Sequence, residues 1–310
     1  MPIPGPLRLS RHTAAAAALL LLAAAPALAQ PRTRQDCEAA FPAAWGRAGK
    51  DVPWVPTFDA VILTMLGMAH VTSEDRVLDL GAGDGRIAIT AAKPPYGAHA
   101  VGIEYDPELA KLAGCLAEAE GVADKVKIVE GDIFKEDFGG ASVVTMYLLP
   151  QINRCVRPRL LAMAPGTRVV SHQYPIADWA PEQSLQVQGR NVHLWVVPAR
   201  VDGIWDFEES GSTPFTVDLR QSFDAVTGTI TRADHGAALG PAKLEGALLR
   251  FTFDSAGAAA RFSGTVHGEE ITGVLSTGTA ARTAVGRLRG GHRAAPWADI
   301  PPDCSRYYGR

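Results

Sequence analysis

The chain has 310 residues, of which 47% are hydrophobic and 20% charged, and a formal net charge of −3. That length bounds the chain at about two domains. The mildly acidic balance gives no electrostatic footprint for a nucleic-acid partner.

In chain order, residues 1–29 read as a secretory signal peptide: Arg8 and Arg11 form a positive n-region, an apolar stretch runs from Ala14 to Leu28, and Ala27-Leu28-Ala29 is an A-x-A cleavage site before Gln30. The apolar stretch is too short, and too rich in alanine and proline, to span a membrane, so no transmembrane segment is expected once it is removed. Cleavage removes two positive charges, taking the net charge of −3 to −5, and places the mature protein outside the cytoplasm, in the periplasm. Residues 30–51 form an N-terminal segment. A helix is expected over 58–68 from its apolar spacing, and a strand over 76–80.

That strand leads into Val77-Leu78-Asp79-Leu80-Gly81-Ala82-Gly83-Asp84-Gly85-Arg86, a strand with an acid near its end, a glycine-packed turn and a helix over 86–92. Glycine has no Cβ, so such a turn brings backbone close to a ligand while the helix start presents free N–H groups. A dinucleotide fingerprint needs G-x-G-x-x-G, and here the third glycine comes one residue early. The blander reading is a tight turn and nothing more. The run resembles the cofactor loop of a class I S-adenosylmethionine-dependent methyltransferase. Next, Val101-Gly102-Ile103-Glu104 is a second strand, with Glu104 about 20 residues beyond the loop, where such folds place a carboxylate for the ribose hydroxyls. Proline at position 107 starts a helix over 107–120, with Asp106 as its N-cap. A third strand, Val126 to Glu130, is followed by Gly131-Asp132. The resemblance implies that Asp132 accepts from the adenine amino group with Ile133 or Phe134 against the ring, and that Asp79, Gly81, Gly83, Asp84 and Gly85 belong to the same cofactor site.

Strands over 143–147 and 168–172, a helix over 150–161 between them, and a terminal antiparallel hairpin over 185–187 and 192–197 complete a doubly wound, Rossmann-like sheet. Val52-Pro53-Trp54-Val55-Pro56-Thr57, the glycine loop, Ala141 to Pro150 and Gly166 to His172, in that order, resemble a small family of protein-lysine methyltransferases whose eukaryotic members modify mitochondrial inner-membrane proteins. The resemblance covers residues 52–198 and implies an S-adenosylmethionine-dependent enzyme acting on a protein lysine or a small-molecule acceptor. An export signal and a further C-terminal region depart from that family.

Beyond Pro198 the period changes to short alternating runs separated by glycine and polar turns: about seven strands of an antiparallel barrel or sandwich over 199–290, followed by an irregular tail over 291–310. Trp205 and Phe207 either face a partner, such as an envelope component, or form this domain's core. Four cysteines in an exported chain permit disulfides. Cys37 and Cys304 lie where they could staple the two ends together, while Cys115 and Cys155 fall on helices and read as buried thiols. No cysteine or histidine spacing suits a metal, so none is expected.

Methyl transfer needs an in-line geometry and exclusion of water, and a lysine acceptor must also lose a proton. Trp54, Thr57, Tyr147 and Pro150 are the candidate walls for an acceptor. His172 near the same strand ends is either a proton acceptor or a structural histidine, with Tyr174 beside it. Asp84 and Arg86 either orient the cofactor's amino acid portion or cap the helix. The alternative to an enzyme is an exported binding or structural protein that has kept the fold with little turnover.

Overall fold

The computed structural model describes residues 1–2, 5, 32–233, 235–255, 257–291 and 299–309. The expected signal peptide therefore lies almost wholly outside the described residues, as does the 292–298 part of the tail. From Arg32 onward the chain forms one compact unit containing two β-sheets.

The first sheet is built from β1 (Arg76–Leu80), β2 (His99–Glu104), β3 (Val126–Glu130), β4 (Val143–Met146), β5 (Arg168–His172), β6 (Gln183–Val187) and β7 (Arg190–Val196), in the spatial order β3-β2-β1-β4-β5-β7-β6. The first five strands are parallel, and β7 runs antiparallel to both β5 and β6. Every residue of β4 is buried, as a strand covered on both faces requires. On one face, α2 (Asp59–Met68), α3 (Arg86–Ala92) and α4 (Pro107–Ala119) bury Ile62, Met65, Ile87, Leu112 and Leu116. On the other, α5 (Pro150–Leu161) buries Ile152, Val156 and Leu160. The doubly wound expectation holds, and Asp106 caps α4 as read, its Oδ1 accepting from Glu108 N and Leu109 N at 2.9 and 3.1 Å.

A helix not expected from the sequence, α1 (Arg34–Ala40), is nucleated by Thr33, whose hydroxyl and backbone N–H exchange hydrogen bonds with Asp36 as a capping box. It packs on α4 and changes the cysteine pairing. Cys37 is bonded to Cys115, and Cys155 to Cys304. The Cys37–Cys304 staple and the two buried thiols are thus corrected. The reason is tertiary: α1 brings Cys37 to α4, and the C-terminal turn brings Cys304 to α5.

The second sheet holds nine antiparallel strands rather than about seven: β8 (Gly203–Glu209), β9 (Phe215–Ser222), β10 (Ala225–Arg232), β11 (His235–Ala238), β12 (Ala242–Glu245), β13 (Leu248–Ser255), β14 (Ala258–His267), β15 (Glu270–Thr277) and β16 (Ala280–Gly290). Its order, β11-β10-β9-β8-β16-β15-β14-β13-β12, pairs the first strand with the last. The linker between β11 and β12 bridges the two sides: Leu239 N–H donates to Gly228 O and Gly240 N–H to Thr252 O, at 2.9 and 2.7 Å. The sheet wraps around Trp205, Phe207, Phe215, Phe251 and Phe262, so Trp205 and Phe207 are core and not a contact surface. At Gly286 an added Cβ would meet Phe207 Cζ at 2.5 Å, which is why the ring can lie flat over that strand.

The two sheets share buried surface. Phe223, Cys304 and Tyr307 pack in the same cluster as Trp179, Trp195 and α5, with Phe223 stacked on Trp179 at a centroid distance of 5.9 Å.

Candidate active site

The glycine turn after β1 has the backbone its residues allow: Gly81, Gly83 and Gly85 have φ of +73°, +58° and +77°. Gly81 N–H and Ala82 N–H both donate to Ile103 O at 3.0 Å, tying the turn to β2. Gly83 N–H donates to Glu104 Oε2 at 2.7 Å, and Asp106 N–H donates to Glu104 Oε1 at 2.9 Å. Two amides therefore fix the Glu104 carboxylate at the carboxyl end of β2, where the parallel strands open into a crevice. Burial raises its pKa against those backbone donors.

Over this turn passes a strap of chain, residues 46–57. It is pinned to itself by Trp54 N–H to Arg47 O and Gly46 N–H to Trp54 O, both 2.9 Å. It is pinned to the sheet by Arg47 Nε to Asp106 Oδ2 at 2.8 Å and Lys50 Nζ to Asp132 Oδ2 at 2.7 Å. Trp54 lies so close to the turn that a Cβ on Gly83 would stand 2.5 Å from its Nε1. Between strap and strand ends lies an open cleft, with about 950 Å³ of space between its walls, its solvent-filled mouth included. Desolvation alone would raise the Asp132 pKa; Lys50 and the Phe134 N–H outweigh it and hold the carboxyl below its ordinary value.

The cleft gathers most of the expected site residues: Trp54, Thr57, Gly81, Gly83, Asp84, Glu104, Asp132, Ile133 and Tyr147 line it. Pro150, which opens α5, and Tyr174 are not among its lining residues, nor are Asp79, Gly85 and His172. Asp79 is buried beneath the turn, where its Oδ1 accepts from Thr145 Oγ1 at 2.7 Å and its Oδ2 has no partner. Burial pushes its pKa up to about 7. His172 is buried behind Tyr147, the ring centroids 3.8 Å apart, with Nδ1 3.1 Å from Thr57 Oγ1. Burial, then the charge of Arg190, lowers its pKa to about 4, so the ring stays neutral near pH 7 and supports Tyr147 from behind. Asp84 grips Arg86 through both oxygens, at 2.9 Å to Nε and 2.6 Å to Nη2, and Arg86 Nη1 donates to Thr57 O at 3.1 Å. This pair ties the turn to the strap.

Sequence reasoning did not single out Arg47, Lys50 and Tyr105 as cleft residues, nor Tyr307, which stacks on Phe134. No motif surrounds them, and only the fold brings them to the strand ends. Among the described residues no cluster of three or more His, Cys, Asp or Glu could hold a metal.

A nucleoside bearing a cationic amino acid tail fits this arrangement: a left-handed glycine turn at the end of β1, a carboxylate held by two amides at the end of β2, and an acid with aromatic and aliphatic neighbours beyond β3, all at one cleft. Fold and site together define a class I S-adenosylmethionine-dependent methyltransferase. The profile of the ANTKMT methyltransferase domain matches residues 79–183. A protein-lysine N-methyltransferase of Saccharolobus islandicus (strain REY15A) is 43% identical over 151 residues, covering 47% of this chain and 94% of the relative. The chain belongs to that methyltransferase family. The adenine nucleotide translocase lysine N-methyltransferase of Mus musculus is 30% identical over 140 residues, 45% of this chain, which spans about 56% of the mouse protein. A crystal structure described as an RNA methyltransferase from Salinibacter ruber in complex with S-adenosyl-L-homocysteine is 45% identical, covering 47% of this chain and 96% of that one, with a TM-score of 0.46.

Proposed function

We propose that this methyltransferase N-methylates a lysine of a protein acceptor, and does so outside the cytoplasm. The observation that carries the acceptor reading is the 43% identity to a protein-lysine N-methyltransferase over nearly all of that relative's length. The cleft is consistent with it. S-adenosylmethionine supplies an electrophilic methyl carried on a sulfonium. Glu104 would hold the ribose hydroxyls and Asp132 the purine amino edge, and Trp54 and Tyr147, which line the same cleft, would face the acceptor. Those rings, with Leu148, desolvate an entering ammonium and favour loss of its proton to water before attack. Neutral His172 adds no positive charge behind that wall.

Support for the compartment comes from the n-region, apolar core and A-x-A site at the N-terminus and from the pairing of all four cysteines, a state that persists where the surroundings oxidise thiols. Among the described residues no helix is long and apolar enough to cross a membrane.

The test is to incubate the purified full chain with methyl-tritiated S-adenosylmethionine and an envelope protein fraction, hydrolyse the products and separate the amino acids. Label in methyl-lysine is expected. Label confined to any other amino acid, or to small molecules, would overturn the acceptor.

A further inference from the structure

The short 3-10 helix Pro302–Tyr307 lies against the cofactor cleft although it stands far from the glycine turn in sequence. Tyr307 stacks on Phe134 with centroids 4.3 Å apart and planes 19° apart, and Tyr308 meets the same ring edge-on at 5.6 Å. Phe134 lines the cleft next to Asp132 and Ile133, the residues that would face the purine. Tyr307 Oη also donates to Asp51 Oδ1 of the strap at 3.3 Å, and its ring lies 6.0 Å from Lys50 Nζ, the group that holds Asp132. The turn itself is held from behind by the Cys155–Cys304 bond, by Tyr308 Oη donating to Cys155 O at 2.6 Å, and by the Arg154–Asp303 ion pair at 2.8 Å. One buried aromatic residue thus touches the purine wall and the strap that covers the cleft, and is fastened to the helix behind them.

We propose that Tyr307 is a positioning residue of the cofactor site. Docked through Cys155–Cys304, it sets the Phe134 ring and the strap around the adenosine end of the cleft, so cofactor affinity and tail docking are coupled. A tail that served only as a staple would change stability and leave affinity alone. A coupled tail obeys reciprocity: what the tail does for the cofactor, the cofactor does for the tail. The inference depends on the cofactor and not on which acceptor is methylated.

Calorimetric titration of the full chain with S-adenosylhomocysteine tests it. Tyr307→Leu is expected to weaken binding about tenfold, the upper range of a stacked aromatic contact. Tyr307→Phe, which keeps the ring, is expected to stay within about twofold of wild type. Equal affinity for Tyr307→Leu and wild type overturns the proposal. A second measurement needs no variant to fold. Dithiothreitol reduces Cys155–Cys304 to two thiols and is itself oxidised, and the rate is followed by alkylation and mass spectrometry. Saturating S-adenosylhomocysteine is expected to slow that reduction by about fivefold or more. An unchanged rate contradicts the coupling.

Discussion

Asp79 is the residue whose surroundings depart furthest from what its charge prefers. It is 1% exposed, has Thr145 as its hydrogen-bond donor and keeps one oxygen unpaired. Burial raises its pKa from 3.8 to about 7. The sign follows from which state holds the proton. Below about pH 4 the folded and unfolded chains both carry it; between pH 4 and 7 the unfolded chain has released it and the folded chain has not, so rising pH disfavours folding until the folded group ionises as well. Asp79 alone therefore lowers stability across that window by on the order of 4 kcal/mol. In thermal melts of the unliganded protein, Asp79→Asn should flatten the fall in melting temperature between pH 5 and 7. Parallel curves for variant and wild type would show that Asp79 is ionised in the fold throughout. The residues that were legible in sequence here are those a backbone feature obliges: Gly81 and Gly83 by their turn, Glu104 by its place at the end of β2, Asp106 by the proline after it. Lys50 and Tyr307 answer to no local rule. Each is placed by a partner far along the chain, Asp132 for the first and Phe134 for the second.

At the scale of elements, the parallel strands could be read because each is a short apolar run opening into an acid or a turn. β11 and β12 could not. His235-Gly236-Ala237-Ala238 and Ala242-Lys243-Leu244-Glu245 lack the alternation of bulky side chains that marks their neighbours, and they are strands because β10 and β13 offer them backbone partners. The same limit explains the cysteines. Pairing Cys37 with Cys115 needs α1, whose seven residues owe their helix to one capping box. That bond closes a loop of 78 residues, for which the chain-entropy relation gives about 4 kcal/mol. Replacing Cys37 and Cys115 together by alanine should reduce the unfolding free energy by roughly that amount in a denaturant titration, chiefly through a freer unfolded chain. A loss under about 1 kcal/mol would mean that α1 remains docked on α4 by packing and that the unfolded chain is already compact.

At the scale of the molecule, the alternating strands beyond Pro198 suggest an independent domain, and the β-sheet there does bury a core of its own around Phe207, Phe251 and Phe262. The chain beyond Pro198 also returns residues to the methyltransferase sheet. Phe223 covers Trp179, while Cys304 and Tyr307 join the cluster that contains α5. A chain ended at Pro198 would leave Trp179, now 2% exposed, facing water and Cys155 without its partner. Its melting temperature should lie at least about 5 °C below that of the full chain. An equal melting temperature would show that these contacts contribute nothing to the first sheet.

The central claim is that the strand ends of that sheet hold S-adenosylmethionine through Glu104. The most direct test is calorimetric titration of the purified full chain with S-adenosylmethionine, wild type beside Glu104→Ala. Wild type should bind one equivalent, and the variant should melt cooperatively yet bind more weakly by roughly 2 to 3 kcal/mol, as expected for losing hydrogen bonds to a charged acceptor. No heat from the wild-type protein, or equal affinities for the two, would contradict the account.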